Sequence, residues 1–210
     1  MPPAADARER LRRARLYLVL EAAAEHVLPA ALRGGVDMVQ LRDKHAGDEE
    51  ILRAAARFRA VCDEHGALLW LNDRPDLAIE AGADGVHMGQ DDEPVEAVRS
   101  LVGPELLIGL STHSPEQFDR ALRSEADQLS VGPVWETPTK QGRPAVGLDY
   151  VRHAAERGGA RPWFAIGGID LGNVGEVVAA GASRVVVLRA IRDAPDPEWA
   201  ARGLAEALRS

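Results

Sequence analysis

Two aspartates stand just beyond short apolar runs. Ala67-Leu68-Leu69-Trp70-Leu71 leads into Asn72-Asp73, and Gly85-Val86-His87-Met88 leads into Gly89-Gln90-Asp91-Asp92. If both runs are parallel strands, Asp73 and Asp92 share one rim of a sheet. A hard cation such as Mg²⁺ takes one or two protein carboxylates and completes its shell with water and substrate phosphate. The competing reading makes each an N-cap, since Asp is favoured there and Pro75 and Pro94 follow closely. Asp76 and Asp91 are neighbouring alternatives.

Cationic and phosphate-binding features accompany this pair. Gln40, Arg42 and Lys44 alternate with Val39 and Leu41, so they share one side of an extended segment. An Arg fork and a Lys point charge on the open side of a barrel suit a diphosphate. The stretch Gly132–Arg143 is the longest polar excursion and follows a strand-like run; Thr137, Thr139 and Lys140 supply hydroxyls and charge. Trp163–Ile169 reads as a buried strand ending in Gly167-Gly168, where a backbone can approach an anion closely. Val187-Leu188-Arg189-Ala190 would complete that cradle. His87, inside a strand, reads as a core histidine. His113 is placed to cap a helix or touch substrate, and Cys62, on an apolar helical stripe, reads as inert core.

These residues need a frame. Eight runs rich in branched aliphatics recur, at Leu16–Leu20, Val36–Leu41, Leu68–Leu71, Gly85–Met88, Leu106–Leu110, Gln128–Val131, Trp163–Ile166 and Arg184–Leu188. Most lack polar alternation, as expected of parallel strands covered on both faces. Between them lie helical patterns such as Glu50–His65, with Ile51, Leu52, Ala55, Phe58, Val61 and Cys62 on one stripe. "AGADGV" (81–86) recurs as "AGASRV" (180–185), which reads as a helix end, a Gly turn and the start of a strand. Eight consecutive βα units favour a closed (β/α)₈ TIM barrel over an open doubly wound sheet. Residues 1–210 are therefore expected to form a single barrel domain with a short N-terminal helix.

Composition narrows the function classes. The 210 residues are 46% hydrophobic and 28% charged, with a formal charge of −8, which argues against nucleic acid or anionic membrane as partner. No apolar run approaches the roughly 20 residues of a membrane span. The N-terminus lacks the apolar core of a signal peptide. A single cysteine allows no internal disulfide, so cytoplasmic residence is expected.

Six phrases together resemble the thiamine phosphate synthase family: "VQLRDK" (39–44), "LND" (71–73), "GADGVHMGQDD" (82–92), "GLSTHS" (109–114), "VGPVWETPTK" (131–140) and "AIGGID" (165–170). They fall in order on six strand ends within about residues 16–191. The resemblance implies a (β/α)₈ transferase of thiamine biosynthesis. Its small-molecule substrates would be a hydroxymethylpyrimidine diphosphate and a hydroxyethylthiazole phosphate, condensed with release of pyrophosphate. It also implies Gln40, Arg42, Lys44, Asn72, Ser111 and Lys140 as pyrimidine diphosphate contacts, with Arg42, Lys44, Ser111 and Lys140 catalytic. Asp73 and Asp92 correspond to Mg²⁺ ligands, and Thr137, Thr139, Gly168, Leu188 and Arg189 to the thiazole phosphate site. Arg189 departs from the family pattern, which has a small Ser there. Arg is compatible with binding through the backbone N–H, and incompatible if the space is needed. A thiazole tautomerase paralogue shares the barrel but needs neither the paired aspartates nor the pyrimidine clamp. A non-catalytic phosphate-binding barrel would not require the full metal-plus-clamp set.

Overall fold

The structure is a computed structural model and describes residues 4–137 and 144–209. Helix α1 (Ala4–Arg13) precedes β1 (Leu16–Leu20), which a 3₁₀ segment (Ala22–Val27) and α2 (Leu28–Arg33) follow. The alternation continues through β2 (Met38–Leu41), α3 (Asp48–His65), β3 (Leu68–Asn72), α4 (Pro75–Glu80), β4 (Gly85–Met88), α5 (Val95–Val102), β5 (Leu107–Thr112) and α6 (Pro115–Ala121). It ends with β6 (Gln128–Val131), α7 (Gly147–Arg157), β7 (Trp163–Ile166), α8 (Val174–Ala179), β8 (Val185–Val187), α9 (Arg189–Arg192) and α10 (Pro197–Ala207). The strands close in sequence order, all neighbours parallel, with β8 pairing back to β1. This is the (β/α)₈ barrel that the sequence implies.

Two apolar clusters lie on opposite sides of the barrel wall. Leu16, Leu18, Leu20, Val39, Leu41, Leu69, Leu71, Val86 and Ile108 pack outward with Phe58, Val98, Phe118 and other residues of the helical ring. Tyr17, Val19, Met38, Leu68, Trp70, Leu107, Phe164 and Val186 fill the lumen. Ala7 and Leu11 of α1, with Ala14, join this second cluster, so the N-terminal helix closes the amino-end mouth of the barrel. Arg8 and Arg10 tie the plug down by donating to the carbonyls of Pro104 and Gly66. The period-2 alternation is real, but both faces are apolar in the lower barrel, so the runs read as continuous.

Element boundaries follow local chemistry. Helix α3 begins at Asp48, two residues before the expected start, with Asp48, Glu49 and Glu50 complementing the dipole of its first turn. It stops at Gly66 in left-handed conformation. Pro75 and Pro115 open α4 and α6, and Pro94 caps α5. "AGADGV" and "AGASRV" are both a helix end, a Gly turn at positive φ and the start of a strand. Strand β2 starts at Met38 rather than Val36 because Asp37 has another task. Its carboxylate accepts from the N–H groups of Arg15 and Leu16. Asp84 and Asp127, each immediately before an even-numbered strand, likewise accept from Leu69 and Ile108. Asp84 also binds Arg59, and Asp127 binds Arg99, at 2.7 and 2.6 Å. Three aspartates thus pin β1, β3 and β5 at the amino end, leaving the carboxyl end for the site.

Candidate active site

The carboxyl ends of the strands surround a cavity of about 1150 Å³. Gln40, Arg42, Lys44, Asn72, Asp73, Asp92, Ser111, Thr137, Gly168, Leu188 and Arg189 all line it. Thr139 and Lys140 lie outside the described residues. Every other residue singled out as a contact or metal ligand from the sequence is brought to one rim.

The clamp side is built by β2 and β3. Gln40 is 3% exposed and donates through Nε2 to Tyr17 Oη at 2.6 Å, so its carboxamide is held from the lumen floor. The Arg42 N–H still bonds Leu20 O, which keeps the chain extended and Arg42 on Gln40's side. Arg42, Lys44 and Arg189 make no hydrogen bond or salt bridge among the described residues. Structural arginines elsewhere are engaged: Arg59, Arg99 and Arg184 sit on carboxylates or carbonyls. Unengaged cations converging on one cavity are a receptor for anions.

Asp73 and Asp92 face each other across the β3 and β4 loops. Burial first, then repulsion from Asp92, pushes the Asp73 carboxyl above the usual range, while nearby Lys44 opposes the shift. Asp73 adopts φ 60°, a left-handed conformation uncommon outside glycine, with its N–H bonded to His87 O at 2.9 Å. The N-cap alternative fails for both aspartates. Arg74 occupies the N-cap of α4 and Pro94 that of α5, and Asp92 instead accepts from Gly89 N–H within its own turn at 2.6 Å. Asp76 is engaged by Arg74 at 2.7 Å; Asp91 lines the same cavity. Among the described residues no group of three or more His, Cys, Asp or Glu forms a cage for a metal. Two crowded carboxylates beside anion-binding cations fit Mg²⁺, which takes few protein ligands, better than an ion that needs a full protein shell.

The opposite side comes from β7 and β8. Gly168 has φ 68°, and a Cβ built there would stand 2.9 Å from Trp135 Cβ. Its side-chain direction therefore faces Trp135 after β6, which leaves the backbone rather than a Cβ to approach an anion. Asn173 fixes the turn by donating to Gly168 O at 2.8 Å. Leu188 departs from strand geometry and α9 begins at Arg189, so Arg189 stands exposed on the rim.

Sequence reasoning missed several floor residues. Tyr17, a polar-tipped aromatic alternating with Leu16 and Leu18, points inward; alternation within β1 was the available signal. Gln90 donates to Ser111 O at 2.7 Å. His87, read as core, is buried in the lumen but lines the cavity, with Nε2 at 2.9 Å from Ser111 Oγ. His113 Nδ1 lies 2.6 Å from Gly132 O, and Ser114 is what caps α6.

A (β/α)₈ barrel with unengaged cations and paired carboxylates around one carboxyl-end cavity defines an enzyme acting on anionic small molecules. Residues 16–191 match a family model described as thiamine monophosphate synthase. The chain is 56% identical over 203 residues to a thiamine-phosphate synthase of Thermus thermophilus, covering 92% of this chain and 97% of that protein. It is 54% identical to that of Acidothermus cellulolyticus over 201 residues, 93% and 95% of the two chains. A solved thiamine phosphate pyrophosphorylase from Pyrococcus furiosus superposes with TM-score 0.87 at 30% identity, covering 95% and 97%. The chain belongs to the thiamine monophosphate synthase family, and its activity is thiamine phosphate synthesis. Among the described residues no helix is long and apolar enough to cross a membrane.

Proposed function

We propose that the chain condenses a hydroxymethylpyrimidine diphosphate with a hydroxyethylthiazole phosphate, in the cytoplasm, by ionising the first and capturing it with the second. The observation that carries this reading is one cavity with cations on two sides. Arg42 and Lys44 stand by the carboxylate pair, and Arg189 stands by the Gly168 turn. A volume of about 1150 Å³ exceeds the upper end, about 1,000 Å³, of ordinary single-ligand sites. It suits two substrates held together.

Arg42 and Lys44 neutralise the diphosphate, with Lys140 and Ser111 as further donors. Gln40 and Asn72 meet the pyrimidine ring from the floor. The methylene C–O bond breaks and its electron pair leaves with the diphosphate; the ring's amino group stabilises the resulting cation. The thiazole nitrogen then donates its lone pair to that carbon, forming the C–N bond with no proton transfer. Thr137, Thr139, Gly168 and the backbone at Leu188-Arg189 hold the thiazole phosphate so that its nitrogen faces the methylene. Asp73 and Asp92 would hold Mg²⁺, which supplies charge neutralisation of the departing diphosphate.

The test supplies both substrates with and without Mg²⁺ and follows pyrophosphate and thiamine phosphate together. Equimolar formation of both, abolished by a chelator, is expected. Arg42→Ala is expected to raise KM for the pyrimidine substrate and leave that for the thiazole within about threefold. Absence of product with both substrates and Mg²⁺ present would refute the reading.

A further inference from the structure

The geometry points to His87 as a positioning residue for Ser111. His87 is 7% exposed and Ser111 6% exposed, both on the lumen side, with Nε2 and Oγ 2.9 Å apart. In strand register His87 pairs with Gly109, two residues before Ser111. A Cβ on Gly109 would stand 2.5 Å from His87 Nδ1 and 2.9 Å from Trp70 Cζ3. Glycine at 109 thus makes room for the imidazole, whose far nitrogen reaches Ser111. The loop after β4 adds a second hold, since Gln90 Nε2 donates to Ser111 O at 2.7 Å. Side chain and backbone of Ser111 are therefore held from β4 and from the loop that follows it.

The direction of the hydrogen bond decides what Ser111 can do. A serine hydroxyl has one hydrogen and two lone pairs. If Ser111 donates to His87, it shows only lone pairs to an incoming anion. If the His87 Nε2–H donates to Oγ, the hydroxyl hydrogen is left to donate into the cavity. We propose the second arrangement: neutral His87 protonated on Nε2 turns Ser111 into a directed donor to a diphosphate oxygen. This rests on the reading that Ser111 meets the diphosphate.

A kinetic cycle separates the two claims. Ser111→Ala is expected to lower kcat, and no effect on either kcat or the pyrimidine KM overturns the Ser111 assignment and the inference with it. His87→Leu, which keeps bulk and loses the donor, is expected to lower kcat by about 10- to 100-fold with the thiazole KM unchanged. His87→Gln, which places an amide N–H near Nε2, is expected to recover most of that loss. In the Ser111→Ala background His87→Leu is expected to add less than about threefold, because neighbours acting as one unit are non-additive. Full additivity, or equal losses in His87→Leu and His87→Gln, refutes positioning while leaving the Ser111 role standing. A measurement on the unaltered protein is independent of variant folding. With ¹⁵N-histidine, Mg²⁺ and inorganic pyrophosphate, the His87 proton is expected on Nε2, and a proton on Nδ1 alone overturns the proposal.

Discussion

Asp84→Ala tests the pinning of the barrel's amino end. The Asp84 carboxylate is 4% exposed and holds Arg59 Nη1 at 2.7 Å and Leu69 N–H at 2.8 Å. Removing one partner of a buried pair costs about 3–5 kcal/mol because the other charge is stranded. Arg59 here retains Asp63 at 2.8 Å, on the exposed side, and a weak contact to Ala67 O at 3.3 Å. The charge is only partly stranded, which places the loss at the low end. The Leu69 N–H, left without its acceptor in the wall, adds about 1 kcal/mol. A total of about 4 kcal/mol in a chain of this size lowers Tm by about 8–16 °C. Asp84→Asn keeps an oxygen for Leu69 and loses only the charge, so it is expected to fall between. Glu9→Ala, which removes exposed pairs with Arg12 and Arg13, serves as control and is expected to move Tm by less than about 2 °C. Calorimetric melting of the four proteins at neutral pH is the assay. An Asp84→Ala Tm within 2 °C of the parent would show that the aspartate does not pin β3.

Three further outcomes follow from the site and core. The Asp73 carboxyl is raised, so without metal the stability it contributes is present at acid pH and lost as pH rises through its raised value. Mg²⁺ needs the ionised form, so the gain in Tm on adding Mg²⁺ and pyrophosphate should grow with pH over that window and flatten in Asp73→Asn; a pH-independent gain contradicts the metal assignment. Gly168→Ala forces a Cβ to 2.9 Å from Trp135 Cβ at φ 68°, and calorimetric titration should show thiazole phosphate affinity falling at least about tenfold with pyrophosphate binding retained. Burial pushes the Cys62 thiol up to about 12, so a disulfide reagent at pH 8 should leave the folded protein unmodified and titrate one thiol after denaturation; rapid labelling of the native state would contradict its placement.

Much of this molecule is written locally. A parallel barrel strand is a short apolar run, and its ends are marked by Gly and Pro, so all eight strands and most helix starts are legible without coordinates. The shared rim of Arg42, Lys44, Asp73 and Asp92 follows because βα loops of a barrel open on one side, whereas Asn72 and Ser111 were singled out only by the family resemblance. Knowing that Asp73 follows β3 and Asp92 follows β4 is enough to bring them together. Tertiary structure alone decided the rest. Asp73 and Asp92 satisfied the local pattern of helix caps, and only the backbone path, with Arg74 and Pro94 in those positions, removed that reading. The outward tilt of the Gly168 Cβ depends on where Trp135 lies, 33 residues away in sequence. The roles of Tyr17, His87 and Asp84 are set by partners 23, 24 and 15 residues distant. Sequence periodicity reports which face a side chain takes; the partner it finds there depends on register and on the space that residues such as Gly109 leave open.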